Sequence, residues 1–123
     1  MTQSRIGMVP FRVGETTMPV VVETHVRERF QQLKNDWKTQ SRYLSNTAQM
    51  AMLWPYQRII GLGSLAVPLI LAELRRETDH WFWALEAITG ENPVPTEVAG
   101  NVQAAAEAWL RWGRDKGLVT ADG

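Results

Sequence analysis

Histidine occurs twice, at His25 and His80, and cysteine is absent. That removes a thiolate nucleophile, a thiolate metal site and a disulfide framework. A hydrolytic cluster would have to be assembled from His80, its neighbour Asp79 and Ser64. Adjacent residues on a helix project about 100° apart, so Asp79 cannot orient His80. Ser64 also lacks the glycine two residues later that a nucleophile elbow requires. The run Gly61-Leu62-Gly63-Ser64-Leu65-Ala66 satisfies G-x-G-x-x-A, whose glycines let a backbone approach a pyrophosphate. Such a loop needs a strand before it and another after its helix, yet both flanks read as helical, which makes it a tight turn between helices. Glu73 and Glu77 have the i, i+4 spacing of a metal-binding bundle, but in a charged stretch they read as a solvated face. No catalytic, cofactor or metal residue is assigned, and the chain is read as a non-enzyme.

The six tryptophans, Trp37, Trp54, Trp81, Trp83, Trp109 and Trp112, are the most informative residues. Trp37 and Trp109 fall on apolar stripes and read as core. Trp81 and Trp83, two positions apart, would point about 200° apart on a helix and cannot both face one core. Either that helix is sandwiched within the domain or one indole lies on a surface built for a partner. Tryptophan suits such a surface because it buries much area with few rotors and keeps a polar N–H. Trp81 continues the stripe of Leu85 and Ile88, whereas Trp83 falls with Ala87 and Gly90 on a face of small residues. Trp83 is therefore the expected anchor. The partner-facing set is Trp83 with Trp81, His80, Glu86 and Trp112.

The elements that must position these residues are helical. The 123 residues are 45% apolar, enough for one domain with a real core. Thirteen basic residues cancel thirteen acidic ones, which argues against affinity driven by phosphate backbone. The longest uncharged run, Ile59 to Ala72, is interrupted by Gly61, Gly63 and Pro68 and falls short of the about 20 residues of a membrane span. With no continuous apolar block at the N-terminus, the expected location is the cytoplasm.

Residues 1–22, punctuated by Pro10, Gly14 and Pro19, read as an extended arm. From Glu23 the spacing of Val26, Phe30, Leu33 and Trp37 predicts a helix with one apolar stripe and a basic remainder of Arg27, Arg29, Lys34, Lys38 and Arg42. Ser45 or Asn46 can cap a short helix after it, and Pro55 can open another that Gly61 or Gly63 closes. Ser64 is the expected cap of a helix ending around Arg76, and Asp79 that of a helix from His80 to Thr89. Asn101 should cap the last helix, with Val102, Ala105, Ala106, Trp109 and Trp112 on one face and a Schellman stop at Gly117. The domain is expected to span 23–117, with a tail over 118–123.

The stretch from Gly63 to Gly90, with its Ala66-Val67-Pro68 entry, a polar turn at Asp79 and the Ala84-Leu85-Glu86-Ala87-Ile88-Thr89-Gly90 close, resembles one HEAT-like helical repeat unit. HEAT units normally stack in threes or more, and a single one is visible here. The longer segment from Trp54 to Gly113 resembles a family of short uncharacterised bacterial proteins. The resemblance implies a protein that sits beside a partner gene in a two-component system such as toxin and antitoxin.

The reading is an all-α fold: a compact bundle of five or six helices with one HEAT-like pair and an extended N-terminal arm. The expected function is a non-catalytic protein-binding module, the antitoxin or inhibitor half of a pair, with self-association left open. The alternative is a small nucleic-acid-binding regulator using the basic helix 23–43. Salt separates the two, since phosphate-driven binding collapses as ionic strength rises.

Overall fold

The structure, a computed structural model, describes residues 17–119, with side chains from residue 24 onward. Six α-helices run in the order α1 (Thr17–Ser41), α2 (Thr47–Met52), α3 (Trp54–Gly61), α4 (Val67–Arg76), α5 (Phe82–Thr89) and α6 (Val102–Asp115). Short 3₁₀ turns at Gly63–Ala66 and Thr96–Val98 complete the path, and no strand occurs among the described residues. The all-α class read from the sequence is the observed one.

Helix α1 starts at Thr17, not at Glu23. The arm expected over residues 1–22 therefore loses its last part to the helix, and residues 1–16 lie outside the described residues. Pro19 is no obstacle because first-turn N–H groups have no intrahelical acceptor to lose. The α1 stripe buries Phe30, Leu33 and Trp37, while Val26 is half-buried.

Around that stripe lies an aromatic core. The Trp81 ring sits 4.7 Å from Trp37, 5.8 Å from Phe30 and 6.1 Å from Tyr56, centroid to centroid, and stacks on Tyr56 at 13°. Contacts of this kind add about 0.5–1.5 kcal/mol each beyond buried area. Ile59, Ile70, Leu71, Leu74 and Leu85 close the remaining sides. The broadest helix contacts are α1 on α3, α4 on α6 and α3 on α5, with α4 and α5 touching over a smaller area.

Two ionic groups join α1 to α4 and the turn after it. Lys34 Nζ lies 3.1 Å from Glu73 Oε2, both side chains being only 9% exposed, and Arg76 reaches Glu73 Oε1 at 2.6 Å. Lys38 Nζ binds Asp79 Oδ2 at 2.9 Å and Glu77 Oε1 at 3.2 Å. Glu73 is thus buried, contrary to the solvated face expected for it, because α1 brings Lys34 over that side of α4. Burial works to raise the Glu73 pKa, but the hydrogen bonds and charges of Arg76 and Lys34 outweigh it and hold the carboxyl below its usual range.

Local signals set several helix ends. Asn46 Oδ1 accepts from Gln49 N at 3.1 Å and Asn101 Oδ1 from Ala104 N at 2.9 Å, capping α2 and α6. Pro55 and Pro68 open α3 and α4 within their first turns. At the end of α6, Gly117 adopts φ 76°, Leu118 N donates to Gly113 O at 2.7 Å, and Gly117 N donates to Arg114 O at 3.0 Å. These are the two bonds of a Schellman motif. Val119 then packs beside Gly113, so the folded body runs through 119 and residues 120–123 of the expected tail lie outside the described residues.

Two caps depart from expectation. Ser64 falls inside the 3₁₀ turn, and α4 opens without any side-chain cap. Asp79 caps no helix, because its carboxylate is held by Lys38 and accepts from His80 N at 2.7 Å. Helix α5 begins at Phe82, and its Ala84 N–H is met instead by Tyr56 Oη at 2.9 Å, a side chain from α3. The same hydroxyl donates to His80 O at 3.1 Å. Burial pushes the Tyr56 hydroxyl well above its ordinary pKa, keeping the donor protonated.

Among the described residues no single helix is long and apolar enough to cross a membrane; α3 and α4 approach that length only as a pair bent by 110°.

Candidate functional site

Helix α5 projects Phe82, Trp83 and Glu86 into a cleft of about 360 Å³. Trp83 and Glu86 are three residues apart and Phe82 and Glu86 four apart, so one turn of helix sets ring and carboxylate side by side. The opposite wall comes from α6, where Val102, Ala105 and Trp109 recur at helical spacing. Tyr56 of α3 and Ala51 of α2 supply buried floor, and Asn92 and Val94 belong to the loop that closes one side.

That loop is tied down from several directions. Asn92 Oδ1 accepts from Val94 N at 3.1 Å, and Thr89 Oγ1 accepts from Glu91 N at 3.1 Å. Trp112 Nε1 donates to Glu91 Oε1 at 2.9 Å, while Lys116 Nζ lies 3.9 Å from the other oxygen of that carboxylate. Glu91 is therefore bound from α6, whereas the Glu86 carboxylate makes no ion pair or hydrogen bond within the described residues.

Of the five residues expected to face a partner, His80, Trp83 and Glu86 line the cleft. Trp83 is 51% exposed and stands at its mouth. Trp112 is half-buried, packs edge-on against Trp109 at 5.2 Å, and holds the loop through Glu91 rather than lining the cleft. Trp81 is fully buried in the aromatic core and offers no surface. The separation of the two indoles is resolved by Trp81 lying at the residue before α5 and buried, and Trp83, two residues on as the second residue of α5, being half exposed. The Trp81 Nε1 has no hydrogen-bond partner in the chain, alone among buried side-chain polar atoms of the described residues.

The far wall escaped sequence reasoning. Val102, Ala105 and Trp109 share one helix face in the sequence with nothing to mark it as a cleft wall, and Thr47, Asn92 and Val94 carry no signal there. Only the docking of α6 on α4 brings them to the cleft beside α5.

The basic helix is less available than its composition implied. Lys34 and Lys38 are held by Glu73, Asp79 and Glu77, leaving Arg27, Arg29 and Arg42 as its solvent-exposed cations. Tyr43, Met52 and Trp54 are exposed near its end, with the Arg58 guanidinium 5.1 Å above the Trp54 ring. No group of three or more His, Asp or Glu capable of holding a metal ion occurs among the described residues.

No protein-family model matches the chain, no curated protein matches it, and no solved structure matches it.

Proposed function

We propose that this chain is a non-catalytic helical protein-binding module, the antitoxin or inhibitor half of a two-component bacterial system acting in the cytoplasm, and that Trp83 anchors its partner. The observation that carries this reading is a half-exposed indole at the mouth of a partly apolar cleft. The domain buries Trp37, Trp81 and Trp109 almost completely and leaves two indoles more than half exposed, Trp54 and Trp83, of which only Trp83 lines the cleft. Binding would bury it, and such aromatic anchors dominate interface energies. The resemblance to short bacterial proteins that sit beside a partner gene supports the paired form.

The test is Trp83→Ala in a tagged full-length chain recovered from its native host. The mutant is expected to melt within about 0.5 kcal/mol of wild type and to lose more than about 2 kcal/mol of binding to the protein that co-purifies with wild type. A large fall in melting midpoint, or undiminished capture, overturns the reading. The nucleic-acid alternative is weakened by the internal pairing of Lys34 and Lys38. Binding that vanishes steeply with added salt would restore it.

A further inference from the structure

Resting on the protein-binding reading, we propose that the cleft takes the guanidinium group of an arginine presented by the partner protein. The exposed Trp83 and the half-buried Phe82 line it together with His80, over the buried rings of Tyr56 and Trp109, and no Lys or Arg lines it. The only carboxylate among the lining residues is that of Glu86. Aromatic faces carry the negative end of a quadrupole and attract cations, most strongly where water is partly excluded. A carboxylate one helical turn from an indole face adds a full charge of the same sign.

Glu86 is also left over by the fold. Glu73, Glu77 and Glu91 each meet a lysine of the same chain, whereas Glu86, like the exposed Glu97 and Glu107, meets none, and of these three Glu86 is the one that lines the cleft. Residues 80–100 contain Glu86, Glu91 and Glu97 and no Lys or Arg; of the three, Glu86 lines the cleft, while Glu91 is met by Lys116 and Trp112. Arginine fits better than lysine because its planar guanidinium stacks on an indole while forking onto a carboxylate, and because it is more weakly hydrated. The cleft, at about 360 Å³, is larger than one guanidinium. That leaves room for the residues flanking the arginine in a peptide segment of a partner.

The experiment follows the indole N–H resonances of the full-length chain by NMR, with Trp83 assigned through Trp83→Phe. The probes are N-acetyl-arginine methylamide and its neutral near-isostere, N-acetyl-citrulline methylamide. The arginine probe is expected to move the Trp83 resonance saturably and at least about tenfold more tightly than the citrulline probe, with Glu86→Gln removing about tenfold of that affinity. Equal response to both probes, or indifference to Glu86→Gln at an unchanged melting midpoint, overturns the proposal. A response that appears only in an Arg5→Gln, Arg12→Gln double variant also overturns it, by showing the cleft filled by the chain's own arginine. A captured partner lost with Trp83→Ala but retained with Glu86→Gln sinks the arginine assignment and leaves the protein-binding reading standing. A partner retained with both sinks both.

Discussion

Replacing Glu73 by alanine should destabilise the fold more than any exposed substitution, and the reason lies in Lys34. The carboxylate accepts from Lys34 at 3.1 Å and from Arg76 at 2.6 Å. Arg76 is 65% exposed and can return to water, but Lys34 is only 9% exposed and cannot without moving α1. Removing one member of a buried pair costs about 3–5 kcal/mol because the remaining charge is left uncompensated. At about 4 °C per kcal/mol for a domain of this size, the midpoint should fall by about 12–20 °C. Thermal and urea melts followed by far-ultraviolet circular dichroism measure this directly. A double replacement, Lys34→Met with Glu73→Leu, should recover most of the loss, since well-packed apolar residues often match a buried ion pair. Acid should act in the same direction as the mutation. The Glu73 pKa is depressed in the folded state, so its contribution is present above the unfolded-state pKa and is lost as pH falls through the folded one. A Glu73→Ala midpoint within about 4 °C of wild type, or a double variant no better than the single one, would refute the reasoning.

Tyr56→Phe should cost about 1–3 kcal/mol in a urea melt, because it strands the Ala84 N–H at the start of α5 and removes the donor to His80 O. Gly113→Ala raises helix propensity by about 1 kcal/mol, yet it should lower the melting midpoint. Its Cβ would stand 2.7 Å from Leu71 Cδ1 and 2.8 Å from Val119 Cγ2, and overpacking costs about 1–3 kcal/mol. Burial works to lower the Lys38 pKa, but hydrogen bonds and charges from Asp79 and Glu77 raise it overall. Its pairing should therefore stabilise fully below the ordinary lysine value and fade as pH rises through the raised one. Because the group is partly exposed, the contribution read from alkaline melts of wild type against Lys38→Met should be below about 1 kcal/mol.

Much of the helix order is written locally. Asn46, Asn101, Pro55, Pro68 and Gly117 act on neighbours within a turn, so their roles are visible in the chain itself. Several of the departures come from distant partners. Asp79 has the chemistry of a cap, but Lys38, forty-one positions earlier, takes its carboxylate. Tyr56 supplies the acceptor that α5 lacks from twenty-eight positions away. Glu73 looks solvated until α1 lays Lys34 over it. The candidate site divides the same way. His80, Trp83 and Glu86 could be grouped because they share one short segment, whereas Trp109 and Val102 join them only through the docking of α6. Trp81 illustrates the limit of angular reasoning, since the helix expected from His80 begins at Phe82, one residue after it.

The aromatic core also has a history in time. The stripe of Phe30, Leu33 and Trp37 lies early in the chain, but the Trp81 ring that covers Phe30 and Trp37 emerges much later. At about 5–20 residues per second, a nascent chain would carry that stripe uncovered for seconds before its lid is synthesised. Chaperone capture and aggregation on the ribosome should then centre on α1. They should subside once the segment through α5 has cleared the exit tunnel, before α6 has been made available to build the far wall of the cleft.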